Sequence, residues 1–192
     1  TPARRHAMST PTTLRAPGIA ILCADGAVPA VGHTTWNQVA RLGEFKGHPQ
    51  GAFAFTPEVF AELIANFAET ANGRVPVDYE HTSELLPDNA AQEGVPAVAW
   101  VVALDDRGPD GLWGAFEWVD AQAVEYVRAR RYLYLSPAVH FDATHRESGE
   151  AIGARLTSVA LTNHPFLDGM APLTASEPAA HTLGLAPGEV HI

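Results

Sequence analysis

Between residues 97 and 119 two β-rich runs, AVAWVVALDD and LWGAFEWV, flank the five residues RGPDG. Glycine and proline in so short a connection mark a tight turn, and the runs on either side read as the arms of an antiparallel hairpin. Three of the four tryptophans, Trp100, Trp113 and Trp118, fall on this hairpin. With Trp36 they read as core or barrel-wall residues.

Other strand candidates are GIAILC (18–23), the stretch near Gln38–Phe45, VPVDYEH (75–81), YLYLSPAVHF (132–141) and ARLTSVALTN (154–163). Two helices are marked. The first is expected over Pro57–Asn72, with Thr56 as N-cap and proline at the first helical position. Phe60, Leu63, Ile64, Phe67 and Ala71 follow its 3.6-residue period, and Asn72-Gly73 supplies a stop. The second is expected from Asp120, as N-cap, to Arg131, with Arg128, Arg130 and Arg131 suiting the negative end of its dipole. Polar loops are expected over 82–94 and over DATHRESGEAIG. Six or so strands with two helices and no βαβ regularity predict an α+β domain around a mostly antiparallel sheet or barrel. Residues 1–17 read as a loose arm, 18–175 as the folded domain, and 176–192 as a tail or linker.

The chain of 192 residues carries a formal charge of −10, with Lys46 its only lysine. Such a surface repels phosphate backbones and argues against nucleic-acid binding as a main role. Cys23 is the only cysteine. It cannot close an internal disulfide, and within the apolar run GIAILC it reads as a buried structural thiol. No apolar stretch reaches the ~20 residues that span a bilayer. The N-terminus lacks the hydrophobic segment of a signal peptide, and Met8 before Ser-Thr-Pro looks like a start, so a cytosolic protein is expected.

Two residues stand out chemically. Ser136 precedes Pro137, which lacks a backbone donor and is confined to strand edges, ends or bulges, so β structure should be irregular at or just after the serine. Irregularity there can free backbone groups for an oxyanion. His81 is a candidate general base for a hydroxyl nucleophile, because imidazole is the side chain that exchanges a proton near neutral pH. Asp78 and Glu80 could orient its ring, although an ideal strand points both away from His81, so a bend near Glu80 is required. Read one at a time, a strand-ending serine and a loop-starting histidine are the simpler accounts. A rival constellation would gather Asp78, Glu80, His81, His140, Asp142 and His145 as metal ligands, but the spacing matches no diagnostic pattern. His6, His33, His48, His164, His181 and His191 form no obvious cluster. G-x-S-x-G, P-loop and dinucleotide fingerprints are absent, which weighs against the common α/β hydrolases and nucleotide enzymes.

Taken in order, VPVDYEH, VPAVAWVVAL, DGLWGAFEWVDAQAVEYVRARRYLYLSPAV and RLTSVALTNHPFLDGM resemble the Mu-like prophage I protein family, the prohead maturation proteases of tailed phages. The resemblance covers roughly residues 18–175. It implies a serine endopeptidase that trims scaffold and other head proteins, itself included, inside the assembling prohead in the host cytoplasm, with no cofactor or metal. Its partners would be scaffold and capsid proteins, with no nucleic acid and no membrane, and self-association as a homodimer or larger assembly is expected by analogy. The distantly similar herpesvirus assemblins imply a mostly antiparallel β-barrel flanked by helices. Carried over, Ser136 is the nucleophile and His81 the base. The third member, a histidine or an acid on the strand after the nucleophile in related proteases, has no matching carboxylate here. That strand offers Thr157, Ser158, Asn163 and His164, which leaves Asp78 or Glu80 to supply the charge. Family members continue into a charged helical scaffold region, where this chain has only a short tail beyond Ala175. From a different class, the alternative is a non-enzymatic capsid-assembly or scaffold-binding barrel.

Overall fold

The computed structural model describes residues 29–68, 73–85 and 94–173. Its elements in chain order are β1 (Thr34–Ala40), β2 (Gly43–Phe45), β3 (Phe53–Phe55), α1 (Pro57–Phe67), β4 (Val75–Tyr79), α2 (Thr82–Leu85), β5 (Ala99–Asp106), β6 (Leu112–Trp118), α3 (Ala121–Arg128), β7 (Tyr134–Thr144) and β8 (Ala151–Thr162). The arm 1–17, the strand candidate GIAILC with Cys23, the Ala71-Asn72 helix stop and the tail 176–192 lie outside the described residues, as do His6, His181 and His191.

The hairpin around RGPDG forms as β5 and β6, closed by a 3₁₀ turn at Gly108–Asp110. Gly111 ends that turn with φ 87° and ψ −166°, and a Cβ placed on it would lie 2.2 Å from the Ala40 carbonyl oxygen. Only glycine fits there. Arg107 stacks over both Trp36 and Trp113, at 5.2 and 4.4 Å from the ring centroids, and covers the outer wall of the turn. Trp118 is fully buried and its indole N–H donates to Thr35 Oγ1 at 2.8 Å.

Six strands form one sheet in the order β1-β6-β5-β4-β8-β7, and β2 and β3 pair separately. Every neighbouring pair is antiparallel except β4 and β8, which run parallel. The α+β, mostly antiparallel expectation is met. The barrel is only half made: β1 and β7 approach within 8 Å between Cα atoms, yet no ladder joins them among the described residues.

Caps place both predicted helices. Thr56 Oγ1 accepts from Val59 N at 3.3 Å to start α1, and Asp120 Oδ1 accepts from Ala123 N at 2.6 Å to start α3. The apolar stripe of α1 buries Phe60 and Leu63 in the same core cluster as Val101 of β5 and Leu156, Val159 and Leu161 of β8. Burying each such side chain is worth about 1.5–3 kcal/mol. The polar side of α1 has a second task. β8 is 12 residues long but pairs with only three residues of β4, which leaves its 152–154 edge without a strand. Glu62 Oε2 accepts the Ala154 N–H at 2.8 Å, and Asn66 Nδ2 donates to the Ile152 and Ala154 carbonyls at 2.8 Å each. Two helix side chains thus stand in for a missing neighbour strand.

Three expectations need correction. The loop expected over 82–94 begins with the single-turn helix α2, which the short polar sequence does not signal. The loop expected over DATHRESGEAIG shrinks to 145–150, because β7 and β8 extend into it and close through His145 N to Glu150 O at 2.8 Å. The strand β3 was not anticipated, being only three residues long.

At the C-terminal end of β4, Tyr79 packs against Tyr126 of α3 and against Tyr132, at ring separations of 6.2 and 5.2 Å. Burial pushes the Tyr79 phenol up to about 12, reinforced by the charge of Asp120 and by the two neighbouring phenols. The folded protein therefore keeps this proton over a range where the unfolded chain, titrating near 10.0, has lost it. That contribution to stability is complete below about pH 10 and is lost as pH rises through the window up to about 12. Thermal midpoints measured from pH 9 to 12 should fall across the window, and Tyr79→Phe should flatten the fall.

No helix among the described residues is long and apolar enough to cross a membrane.

Candidate active site

The strand β4 stops at Tyr79 because the next two residues leave the extended region: Glu80 has φ 52° and His81 φ 56°. Consecutive left-handed residues that are not glycine are costly, by about 1–3 kcal/mol each, and persist only where their surroundings dictate them. Here the surroundings do so at every step. Glu80 N donates to Leu161 O at 3.1 Å, continuing the parallel ladder for one residue. The Thr82 hydroxyl donates to the Tyr79 carbonyl, and Ser83 N donates to Asp78 Oδ2 at 2.7 Å. Glu84 and Leu85 N–H groups return to His81 O at 3.0 and 3.2 Å. Thr157 Oγ1 donates to Glu84 Oε1, and Thr162 Oγ1 to Glu80 Oε2, both at 2.7 Å, which pins the turn to β8 from two sides. This is the bend that the sequence requires if Asp78 and His81 are to serve one site.

Ser136 stands opposite Ala160 in the β7–β8 ladder, and Asp78 stands opposite the same Ala160 in the β4–β8 ladder. Residues opposite one another share a sheet face, so Asp78, Ala160 and Ser136 form one row across three strands. Two strand spacings separate its ends, roughly 9–10 Å between backbones. The middle residue, Ala160, is fully buried. Pro137 lies on β7, the edge strand of the sheet, where its missing N–H costs no ladder bond on the free side. The irregularity expected after Ser136 is present two residues on. The register slips between Ala138 and Val139, with Thr157 as the extra residue on β8. Its hydroxyl also lies 3.3 Å from the Ala138 carbonyl.

Ser136 and His81 line the same cavity of about 680 Å³. No hydrogen bond joins their side chains, so the pair shares one space without being bonded. The other walls are aromatic. Phe53 packs against Phe141 and Phe166 at ring separations of 5.3 and 5.8 Å, and His48 against Phe166 at 4.8 Å. His48 and His164, which the sequence leaves unclustered, open onto this cavity beside His81 and His140. The aromatic wall escaped the sequence reading. The alternation in AFAF, 52–55, is its one signal, set between polar and glycine-rich neighbours that hide a strand so short.

The two acids near His81 differ in setting. Asp78 is 2 % exposed, and its Oδ1 has no hydrogen-bond partner. Glu80 is exposed and its carboxylate is taken up by Thr162. The Glu80 charge, after burial, helps hold the Tyr132 phenol above its ordinary range. The metal constellation does not assemble: among the described residues no group of three His, Cys, Asp or Glu side chains is arranged to hold an ion. His145 instead turns toward Ser148, whose N–H lies 3.2 Å from His145 Nδ1.

A family model described as Mu-like prophage I protein, N-terminal domain, matches residues 37–174, a span that contains both His81 and Ser136. No curated protein and no solved structure matches the chain.

Proposed function

Because the chain belongs to the Mu-like prophage I protein family, we propose that it is a serine endopeptidase of phage head maturation, cleaving scaffold and other head proteins, itself included. The observation that supports this most is the row Asp78–Ala160–Ser136, with the His81 turn folded back beside it onto the cavity that Ser136 lines. Ser136 is the nucleophile. His81 takes its proton during attack on a peptide carbonyl and returns it to the leaving amine. Of the two acids near His81, Asp78 suits the third place, because a buried carboxylate with a spare acceptor can stabilise the imidazolium formed in that step. Glu80 is already engaged. The half-barrel and its flanking helices are compatible with an assemblin-like architecture, with Ser136 on the edge strand β7 of the described sheet. The aromatic wall favours substrates that place an apolar side chain beside the scissile bond.

A serine-directed covalent probe followed by peptide mass spectrometry tests this directly. Label should appear on Ser136 and disappear in His81→Ala. A protein that cleaves no head protein and takes up no label at Ser136 would instead be a non-enzymatic head-assembly domain.

A further inference from the structure

Around the His81 turn three polar side-chain atoms are sealed from solvent and have no hydrogen-bond partner among the described residues: Asp78 Oδ1, His81 Nδ1 and Ser158 Oγ. A buried polar atom left unpaired costs about 1–3 kcal/mol, so three in one neighbourhood call for a common explanation. Ser158 is 1 % exposed and faces Ala138 on β7, two residues along β8 from the Ala160 that separates Asp78 from Ser136. It follows the bulged Thr157, whose hydroxyl is already committed to Glu84. No group among the described residues bonds the Ser158 hydroxyl itself.

The chemistry of the three atoms is complementary. The carboxylate oxygen only accepts, the ring nitrogen can carry a proton to donate, and the hydroxyl does both. We propose that Ser158 is a positioning residue in the working enzyme: its hydroxyl, unbonded in this structure, closes on the other two atoms, accepting a hydrogen bond from His81 Nδ1–H and donating one to Asp78 Oδ1. The inference rests on the assignment of Ser136 and His81 as nucleophile and base. Its effect is to fix the tautomer. With Nδ1 protonated, Nε2 keeps its lone pair for the Ser136 proton, and the buried Asp78 charge reaches the imidazolium through the serine. The carboxylate missing from the strand after the nucleophile is thus supplied from β4, with a hydroxyl on that strand as the link.

Ring-¹⁵N NMR of the full chain, at a pH where His81 is neutral, reads the tautomer without substrate. The Nδ1–H form should dominate in the wild type and give way in Ser158→Ala. In cleavage assays Ser158→Ala and Asp78→Asn should each lower kcat by about 100-fold or more with KM little changed. The double variant should be no worse than either alone, as expected of groups acting in series. Ser158→Cys, nearly the same volume but a weak donor, repeats the measurement should alanine impair folding. A wild-type Nε2–H tautomer overturns the proposal. So does a Ser158→Ala enzyme of near-normal kcat beside a crippled Asp78→Asn, since the ring would then bond the carboxylate directly. Normal cleavage by Ser136→Ala would overturn the protease assignment alone, because the tautomer still decides the hydrogen-bond chain.

Discussion

Ser136→Ala should abolish cleavage of the cognate scaffold protein while leaving the thermal midpoint within a few degrees of wild type. In other serine proteases, removing the nucleophile or its base costs about 10⁶ in kcat, and the residue that survives comes from binding and the oxyanion site. His81→Ala should be equally damaging, and the two changes together no worse than either, because a hydroxyl without a base and a base without a hydroxyl fail at the same step. Structure argues that neither change will unfold the chain. Ser136 is half-buried beside the cavity, and the His81 turn is held by the backbone and by Thr82, Ser83 and Glu84 more than by the ring. Gel analysis of scaffold co-expressed with each variant reads the result. Normal processing by Ser136→Ala would remove the protease assignment.

The largest effect on stability is expected at a position far from this chemistry. Gly111→Ala must do two unfavourable things at once. Its backbone, at φ 87° and ψ −166°, lies in a region that side-chain-bearing residues hardly enter, at a cost of about 1–3 kcal/mol. Its new Cβ would also overlap the Ala40 carbonyl, which is backbone and cannot rotate aside, so β1 and β6 have to separate where they pair. The sum should be about 3–5 kcal/mol, near the top of the range for single substitutions. For a domain of this size that lowers Tm by roughly 6–20 °C. Gly149→Ala is the control. Gly149 also has a positive φ, 74°, but open space around it, so it should show the conformational cost alone, about 1 kcal/mol. Similar losses at both positions, measured by denaturant unfolding, would mean that the contact with Ala40 relaxes freely.

What could be read from the sequence was whatever is decided locally. Thr56-Pro57 and Asp120 announce helices because a cap is a contact between residues three apart, and RGPDG announces a hairpin because the turn lies within its own five residues. His81 and Ser136 could be singled out for the same reason, one by its place after a strand and the other by the proline beside it. The parallel pairing of β4 with β8 was beyond such reading. It joins residues some eighty positions apart, and no crossover pattern marks it. Yet this pairing places Asp78 and Ser136 on either side of Ala160 and so favours Asp78 over Glu80. Ser158, facing Ala138 across the β7–β8 ladder, is likewise buried by the tertiary fold, which is why its hydroxyl looked like one polar residue among several on its strand.

One feature of the sheet bears on what such an enzyme would cut. Among the described residues β7, which carries Ser136, is an outermost strand, and no strand among them pairs with its far side, so N–H and C=O groups there are open to a chain that comes alongside. A polypeptide can use those groups only after giving up its own secondary structure, so a folded capsid subunit presents nothing to the site while a slack linker fits at once. Selection of this kind acts on conformation ahead of sequence. A protease of the proposed kind would then spare intact shell protein and sever slack tethers, without needing a long recognition motif to tell them apart.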